Sequence, residues 1–201
     1  MNAATVLEDE WIDADAPRPL DPLDVPKGFE LIDGELVEMP VMGFKSSWVA
    51  SQLHLHLGVY LLRKPIGVAA TAEASYACWP DRPKHVRKPD VSVILCDPHE
   101  FVPPKVNSAI APSLVVEVVS PNERVYELDE KVAEFLSAGT RLIWIVNPEL
   151  RTVLIRRAEG SPQLLFDPAE LSGEDVLPDF KVALADFLPR IPSPKTENPT
   201  A

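Results

Sequence analysis

The spacing of apolar and polar residues along the chain predicts a mixed α/β fold that begins with a hairpin and a helix. Apolar and polar side chains alternate through residues 29–39 around the turn dipeptide Asp33-Gly34, which indicates a small β-hairpin. Residues 46–62 carry apolar side chains at spacings of three and four, and Pro65 with Gly67 supplies a stop signal. We therefore expect a helix there, with buried positions at Val49, Leu53, Leu57, Tyr60 and Leu61.

Three strands are predicted in the middle of the chain. The first covers residues 70–79, and the apolar runs at residues 91–95 and 114–119 have the length of buried strands. A polar link separates the first strand from the second, and its basic residues are Arg82, Lys84, Arg87 and Lys88.

A second helix and a second hairpin complete the pattern. The segment 120–122 breaks the preceding strand, and a helix is expected to follow it and to end at Gly139. The predicted buried face of this helix consists of Val125, Leu128, Val132, Phe135 and Leu136. Runs at residues 142–146 and 152–156 predict the hairpin. The order indicates a central mixed sheet flanked by helices, with the first hairpin at its N-terminus.

Composition indicates one domain with two tails. We expect residues 1–25, which are acidic and proline-bearing, to form a mobile arm, residues 26–190 to form a single domain, and residues 191–201 to form a flexible tail. Cys78 and Cys96 have no evident disulfide role, and neither a signal peptide nor a membrane span is predicted. The cytoplasm is therefore the expected location.

The net charge of −12 is unevenly distributed along the chain. An acidic balance argues against a nucleic-acid partner, because such partners are bound largely through Lys and Arg. However, residues 1–25 carry a net charge of −6 and residues 161–201 carry −4, which leaves only −2 for residues 26–160. Most of the acidity therefore lies outside the segment that carries the candidate chemistry.

Two carboxylates interrupt the predicted buried strands. Asp90 opens the run at residues 91–95, and Glu117 lies inside the run at residues 114–119, where solubility alone would not place an acid. Two like charges on adjacent strands cannot both ionise cheaply unless a cation lies between them. Because Mg²⁺ prefers carboxylate oxygens, waters and phosphate oxygens as ligands, the pattern predicts a Mg²⁺ (or Mn²⁺) site at Asp90 and Glu117.

Lys131 lies on the helix that follows and flanks its buried stripe, so its ammonium can reach back toward the strand of Glu117. There it would position the attacking water or offset charge in the transition state of phosphodiester hydrolysis.

Each of the three residues also has a simpler interpretation. Asp90 follows a proline, where an aspartate often caps a loop. The simpler interpretation of Glu117 is a buried ion pair with a nearby Lys or Arg. Lys131 lies four residues after Glu127, which is the spacing of an ordinary surface pair on a helix.

Other charged residues are secondary candidates. Glu73, on the predicted strand before the site, and Glu35, on the first hairpin, are possible further metal ligands, as are Glu30 and Glu38. The alternative for these acids is a solvated polar face. The basic link, together with His85, forms either a phosphate-facing patch or a solvated loop.

Ordered motifs also carry a family resemblance. They are Pro89-Asp90, Glu117 within Val-Val-Glu-Val-Val-Ser-Pro, Tyr126 with Lys131, and Trp144-Ile145-Val146-Asn147-Pro148. In this order they resemble the Uma2 family, also called DUF820, restriction-endonuclease-like proteins of the PD-(D/E)XK nuclease superfamily. The similarity runs from about Gly28 to Phe187, with an opening segment at residues 29–35 and a closing segment at residues 173–180.

The resemblance implies a restriction-endonuclease-like core in which Asp90 and Glu117 are metal ligands. In the superfamily pattern a lysine stands two residues after the glutamate, where this chain has Val119, and the family resemblance assigns that role to Lys131 on the following helix. Ser46 stands where a histidine is common in the family, and Asn147 stands where an aspartate is usual.

Two functions are compatible with these features. The first is a metal-dependent endonuclease that hydrolyses DNA phosphodiester bonds, with Asp90, Glu117 and Lys131 as catalytic residues and a homodimer as the expected assembly, because cutting two strands needs two sites. The alternative is a nuclease-fold protein that binds or regulates without catalysis, which the acidic balance and Val119 favour.

Overall fold

The structure is a computed structural model that describes residues 25–121 and 124–190. The arm predicted for residues 1–25, apart from Val25, and the tail predicted for residues 191–201 lie outside the described residues. The predicted first hairpin is confirmed as β1 (Phe29–Ile32) and β2 (Glu35–Glu38). Asp33 and Gly34 connect the two strands with φ of 50° and 95°, as a tight hairpin turn of this composition requires.

The remaining elements alternate between helices and strands. They are α1 (Phe44–Arg63), β3 (Gly67–Thr71), β4 (Ser75–Tyr76), β5 (Val91–Leu95), β6 (Asn107–Ser108), β7 (Leu114–Val118), α2 (Val125–Ser137), β8 (Leu142–Asn147), β9 (Thr152–Arg157), β10 (Gln163–Phe166), β11 (Glu170–Ser172), β12 (Lys181–Ala183) and α3 (Leu184–Phe187).

A central six-stranded sheet has the strand order β10-β9-β8-β7-β5-β3. Its strands pair antiparallel except for β7 and β8, which run parallel and are joined through α2. The sheet is therefore mixed, as predicted. The described residues add three small two-stranded pairs, β1 with β2, β4 with β6, and β11 with β12.

The two faces of the sheet carry separate apolar clusters. On β7, Val116 and Val118 pack into the cluster that α1 covers, whereas Val115 packs into the cluster that α2 covers. Because side chains alternate along a strand, Glu117 shares the face of Val115 and points toward α2. The sheet thus directs this carboxylate into a helix-covered layer.

Two local predictions were wrong. The strand predicted for residues 70–79 is divided, because a turn closed by the Ala74 N–H and the Thr71 carbonyl separates β3 from β4. Val125, predicted as buried, is 75% exposed because it begins the first turn of α2, outside the apolar cluster that includes Leu128 and Val132. The predicted buried face of α1 is confirmed at four of its five positions, and Tyr60 is partly buried.

Among the described residues, no helix is both long enough and apolar enough to cross a membrane. Both cysteines are free thiols.

Candidate active site

Asp90 and Glu117 lie side by side on neighbouring strands. β5 and β7 pair antiparallel with Val91 opposite Val116, and the same register carried one residue further places Asp90 opposite Glu117. Directly opposed residues project to the same face of a sheet, so both carboxylates point toward α2. They are 8% and 2% exposed. The strand register therefore brings the two predicted acids together.

Asp90 also has a structural role. One of its carboxylate oxygens, Oδ2, accepts a hydrogen bond of 2.6 Å from the Val118 N–H. Val118 follows Val116, the last residue of β7 that pairs with β5. The capping interpretation of Asp90 is thus correct in part, since the side chain satisfies a backbone donor of the adjacent strand. This bond also fixes the direction of the carboxylate.

Lys131 reaches both Glu117 and the backbone before Asp90. Its Nζ donates hydrogen bonds to the Lys88 carbonyl at 2.8 Å and to Glu117 Oε2 at 3.1 Å, and it lies 3.1 Å from Glu117 Oε1. The surface pair with Glu127 does not form, because Glu127 instead lies 3.1 Å from Arg124 Nη1. The predicted buried ion pair of Glu117 is present, and its partner is the candidate lysine.

Glu30 is a third buried acid at this position. Its Oε1 lies 3.2 Å from Lys131 Nζ and accepts a 2.7 Å hydrogen bond from the Lys88 N–H, while its Oε2 accepts a 2.9 Å hydrogen bond from Arg87. The interpretation of Glu30 as part of a solvated polar face was wrong. Its side chain is buried because β1 packs on the backbone around Val86. No local signal distinguishes Glu30 from the exposed Glu38.

The two secondary candidates lie outside this cluster. Glu35 is exposed on β2. Glu73 is exposed in the turn between β3 and β4, and not on a strand as predicted, but it lines a small cleft of about 130 Å³ together with Asp90. Of these acids, only Glu73 is near the paired carboxylates.

The basic link is solvated only in part. His85, Arg87 and Lys88 are buried, and Arg87 is committed to the carboxylates of Glu30 and Glu134. Lys84 is exposed. These contacts join residues from β1, the link and α2, which no local pattern in the sequence indicates.

Burial is the main influence on the ionisation of the cluster. It raises the pKa of Glu117 well above its usual value; Lys131 opposes this rise, and the nearby carboxylates of Asp90 and Glu30 add to it. Burial by itself would lower the pKa of Lys131, but the same three carboxylates outweigh it and raise that pKa, so the ammonium stays charged. Lys131 therefore faces Glu117, Asp90 and Glu30, of which Glu30 is also paired with Arg87, and a cation beside Asp90 and Glu117 would relieve the repulsion between those two carboxylates.

These residues fit a hard divalent cation. Within the described residues, the buried Glu117 Oε1 accepts no hydrogen bond and has only the 3.1 Å ion-pair contact with Lys131 Nζ, and the opposed Asp90 supplies a second carboxylate. No trio of His, Cys, Asp or Glu side chains in the described part of the chain is arranged to hold a metal by itself. A two-carboxylate site suits Mg²⁺, which keeps several waters and uses substrate phosphate oxygens as further ligands.

A cleft of about 220 Å³ opens onto the cluster between the first hairpin and α2. Glu30, Arg87 and Lys131 line its floor, and Glu127 and Glu130 lie at its sides. The cleft is thus the described opening from which solvent reaches the lysine, whereas the smaller cleft beside Glu73 reaches Asp90.

Glu134, behind the cluster on α2, predicts a specific dependence of stability on pH. Burial alone would raise its pKa, but His85, Arg87 and Arg82 outweigh burial and lower the pKa from 4.5 to about 2. Because the folded-state pKa is depressed, this stabilisation is present above pH 4.5 and is lost as the pH falls toward 2. We expect urea unfolding curves between pH 5 and about pH 3 to show a shallower loss of stability in Glu134→Gln than in the wild type.

The fold and the cluster define the class of this protein: an α/β protein with a nuclease fold and paired buried acids on adjacent strands. It is similar in structure to a "putative nuclease belonging to DUF820" from Anabaena variabilis ATCC 29413, with a TM-score of 0.66, 19% identity, and coverage of 79% of this chain and 88% of that chain. The Uma2 family, described as "Putative restriction endonuclease", matches residues 23–185. The chain belongs to the Uma2 family. No curated protein matches it. Family and fold together support a nuclease function.

Proposed function

We propose that the protein is a Mg²⁺-dependent endonuclease that hydrolyses DNA. The observation that carries the proposal is the direct opposition of Asp90 and Glu117 on β5 and β7, with Lys131 Nζ 3.1 Å from the glutamate. Asp90 and Glu117 would hold the ion. When bound, Mg²⁺ supplies a Lewis acid and a more acidic water at the scissile phosphate.

The residues of the chain have separate tasks in this reaction. Asp90, aligned by the Val118 N–H, keeps a carboxylate directed at the cluster. Lys131 carries a positive charge into a largely buried layer at the base of the cleft, where it would offset negative charge that develops on the phosphate. Val119 occupies the position at which the superfamily pattern has a lysine, and it is partly buried against the α2 cluster. Lys131 approaches the same face of the sheet from the helix.

The test is cleavage of supercoiled plasmid DNA by the purified chain. With Mg²⁺ or Mn²⁺ in excess over the protein we expect nicked and linear products, and with EDTA we expect none. A preparation that cleaves equally well in EDTA would contradict metal dependence. Cleavage of RNA but not DNA would contradict the proposed substrate.

A nuclease-fold binding protein without catalysis is the second candidate. The acidic sides of the larger cleft, Glu38, Glu127 and Glu130, favour it because they oppose the approach of a phosphate backbone. Calorimetric titration with Mn²⁺ separates the candidates, since a chain that binds no metal and gains no thermal stability from it has no metal-dependent catalysis.

The active form in our proposal is a homodimer assembled through α1. The face of α1 opposite its buried residues carries an exposed apolar stripe made of Phe44, Trp48, Leu55, Val59 and Leu62. The small residues Ser51 and Gly58 lie on this face between the large ones, so a second copy of the helix packed antiparallel can interdigitate with it. α1 contains no acidic residue, so two copies of this helix can pack together without repulsion between carboxylates on α1.

We expect Leu55→Glu combined with Leu62→Glu to convert the protein from dimer to monomer in size-exclusion chromatography with light scattering. Charged residues in the centre of an apolar interface are costly because they are desolvated without partners. Leu150→Glu, at an exposed apolar residue in the β8–β9 turn, is the matched control and should leave the dimer intact. A monomeric wild type would contradict the proposed assembly.

The free thiols of Cys78 and Cys96 suit the reducing cytoplasm in which we propose that the dimer acts.

A further inference from the structure

An ordered chain of alternating charges runs from the turn of the first hairpin into the layer beneath α2. At its outer end, Arg82 pairs with both carboxylate oxygens of Asp33, at 2.7 and 2.8 Å. The same guanidinium donates from Nη1 to Glu134 Oε1 at 2.8 Å. Glu134 is 8% exposed, and its backbone carbonyl accepts a 3.0 Å hydrogen bond from the Trp79 indole.

The inner half of the chain reaches the candidate active site. Arg87 donates from Nε to Glu134 Oε2 at 2.6 Å and from Nη1 to Glu30 Oε2 at 2.9 Å, so it bridges the two acids. The second oxygen of Glu30 accepts the Lys88 N–H and lies 3.2 Å from Lys131 Nζ. Glu134 touches neither Asp90 nor Glu117 in any described contact, yet only Arg87 and Glu30 separate it from the lysine.

We propose that Glu134 is a positioning residue, which acts through Arg87 to hold Glu30 against the Lys88 amide and the Lys131 ammonium. The inference deepens the proposed nuclease function and rests on it for the effect on catalysis, but not for the effect on the position of Glu30.

The sharing of Arg87 is the physical basis of this role. A guanidinium has several donors in one plane and can serve two carboxylates at once. With Glu134 present, the charge of Arg87 is divided between two acids, and Glu30 keeps one oxygen for Lys88 and Lys131. When Glu134 loses its charge, Arg87 is attracted only to Glu30, which is drawn away from the lysine.

Glu134→Gln is the variant that tests the proposal, because it retains the shape of the side chain and removes the charge. We expect amide hydrogen exchange at Lys88, measured by NMR, to accelerate about tenfold, because the N–H loses its carboxylate acceptor. The Val118 amide, which donates to Asp90, should be unchanged. In DNA cleavage with Mg²⁺ we expect kcat to fall about tenfold with KM for DNA unchanged, the usual size of such indirect effects.

Two further variants control the experiment. Glu174→Gln removes a carboxylate from a partly buried arginine pair with Arg157, outside the charge chain, and should change neither Lys88 exchange nor kcat. Arg87→Lys keeps the positive charge but has no planar guanidinium to bridge two acids. It should therefore accelerate amide exchange at Lys88 as Glu134→Gln does. It provides the same test if Glu134→Gln does not fold.

The outcomes separate this proposal from the proposed function. Unchanged exchange at Lys88, or equal acceleration at Lys88 and Val118 as expected from general destabilisation, would overturn the positioning role. A normal kcat in an active Glu134→Gln enzyme would also overturn it. An inactive wild type that binds no Mn²⁺ would instead refute the nuclease function, and selective acceleration at Lys88 would still support the position assigned to Glu30.

Discussion

Asp90→Asn is expected to reduce Mg²⁺-dependent DNA cleavage at least about a hundredfold, the scale on which loss of one preorganised electrostatic group acts. The asparagine retains an oxygen that can accept the Val118 N–H, so the hydrogen bond between the two strands survives. What is lost is one of two opposed carboxylates, and with it the charge that a hard cation requires. Mn²⁺ titration should show weaker binding, while the temperature of unfolding without metal stays the same or rises.

The control for this prediction is Asp97→Asn, a substitution at an exposed aspartate in the loop after β5. It changes the net charge of the chain by the same amount and should leave the cleavage rate unaltered. Cleavage by Asp90→Asn at the rate of the wild type would exclude this carboxylate from the reaction. Equal losses in both variants would point to overall charge as the cause.

Lys131→Met is expected to destabilise the protein by about 3–5 kcal/mol, because it leaves buried carboxylates without their cation. The ammonium lies within 3.2 Å of oxygens of both Glu117 and Glu30. The methionine fills a similar volume, so packing contributes little to the loss. Urea unfolding at pH 7 measures the free energy of unfolding, and cleavage of DNA should be lost as well.

The destabilisation caused by Lys131→Met should increase with pH. Burial already raises the pKa of Glu117, and without Lys131 this pKa rises further. A group with a raised folded-state pKa favours the folded protein when protonated and opposes folding as the pH rises, so Lys131→Met should be closer to the wild type at pH 5 than at pH 8.

A second substitution identifies the cause of the destabilisation. Adding Glu117→Gln to Lys131→Met should recover much of the lost free energy, since the uncompensated charge is then removed. Lys45→Met, which removes the exposed pair with Glu149, should cost less than about 1 kcal/mol. A loss of stability in Lys131→Met that is no larger than in Lys45→Met would contradict a buried charge cluster.

Local patterns predicted most of the secondary structure because they depend on neighbours along the chain. The alternation around Asp33-Gly34 defines the first hairpin, and the apolar runs define β5, β7, β8 and β9. The division of β3 from β4 was missed because a turn at Ala72 and Glu73 carries no Gly or Pro signal.

The juxtaposition of Asp90, Glu117 and Lys131 was also predictable, because a carboxylate inside an apolar run destabilises the fold unless a cation or another partner compensates its charge. Their contact with Glu30, Arg87 and Glu134 was not. Glu30 meets the Arg87 guanidinium 57 residues away, and Arg87 meets Glu134 47 residues away. Such distances in sequence exceed the range of any helical or strand periodicity.

By itself the sequence determined the longer elements, most of their buried faces and the two strand carboxylates, because these follow from the period of side chains along a backbone. Only the tertiary structure decided which charges compensate one another. A buried carboxylate is stable only beside a donor that the folded chain brings to it, and here the hairpin, the link and α2 deliver Glu30, Arg87 and Lys131 to one water-poor layer.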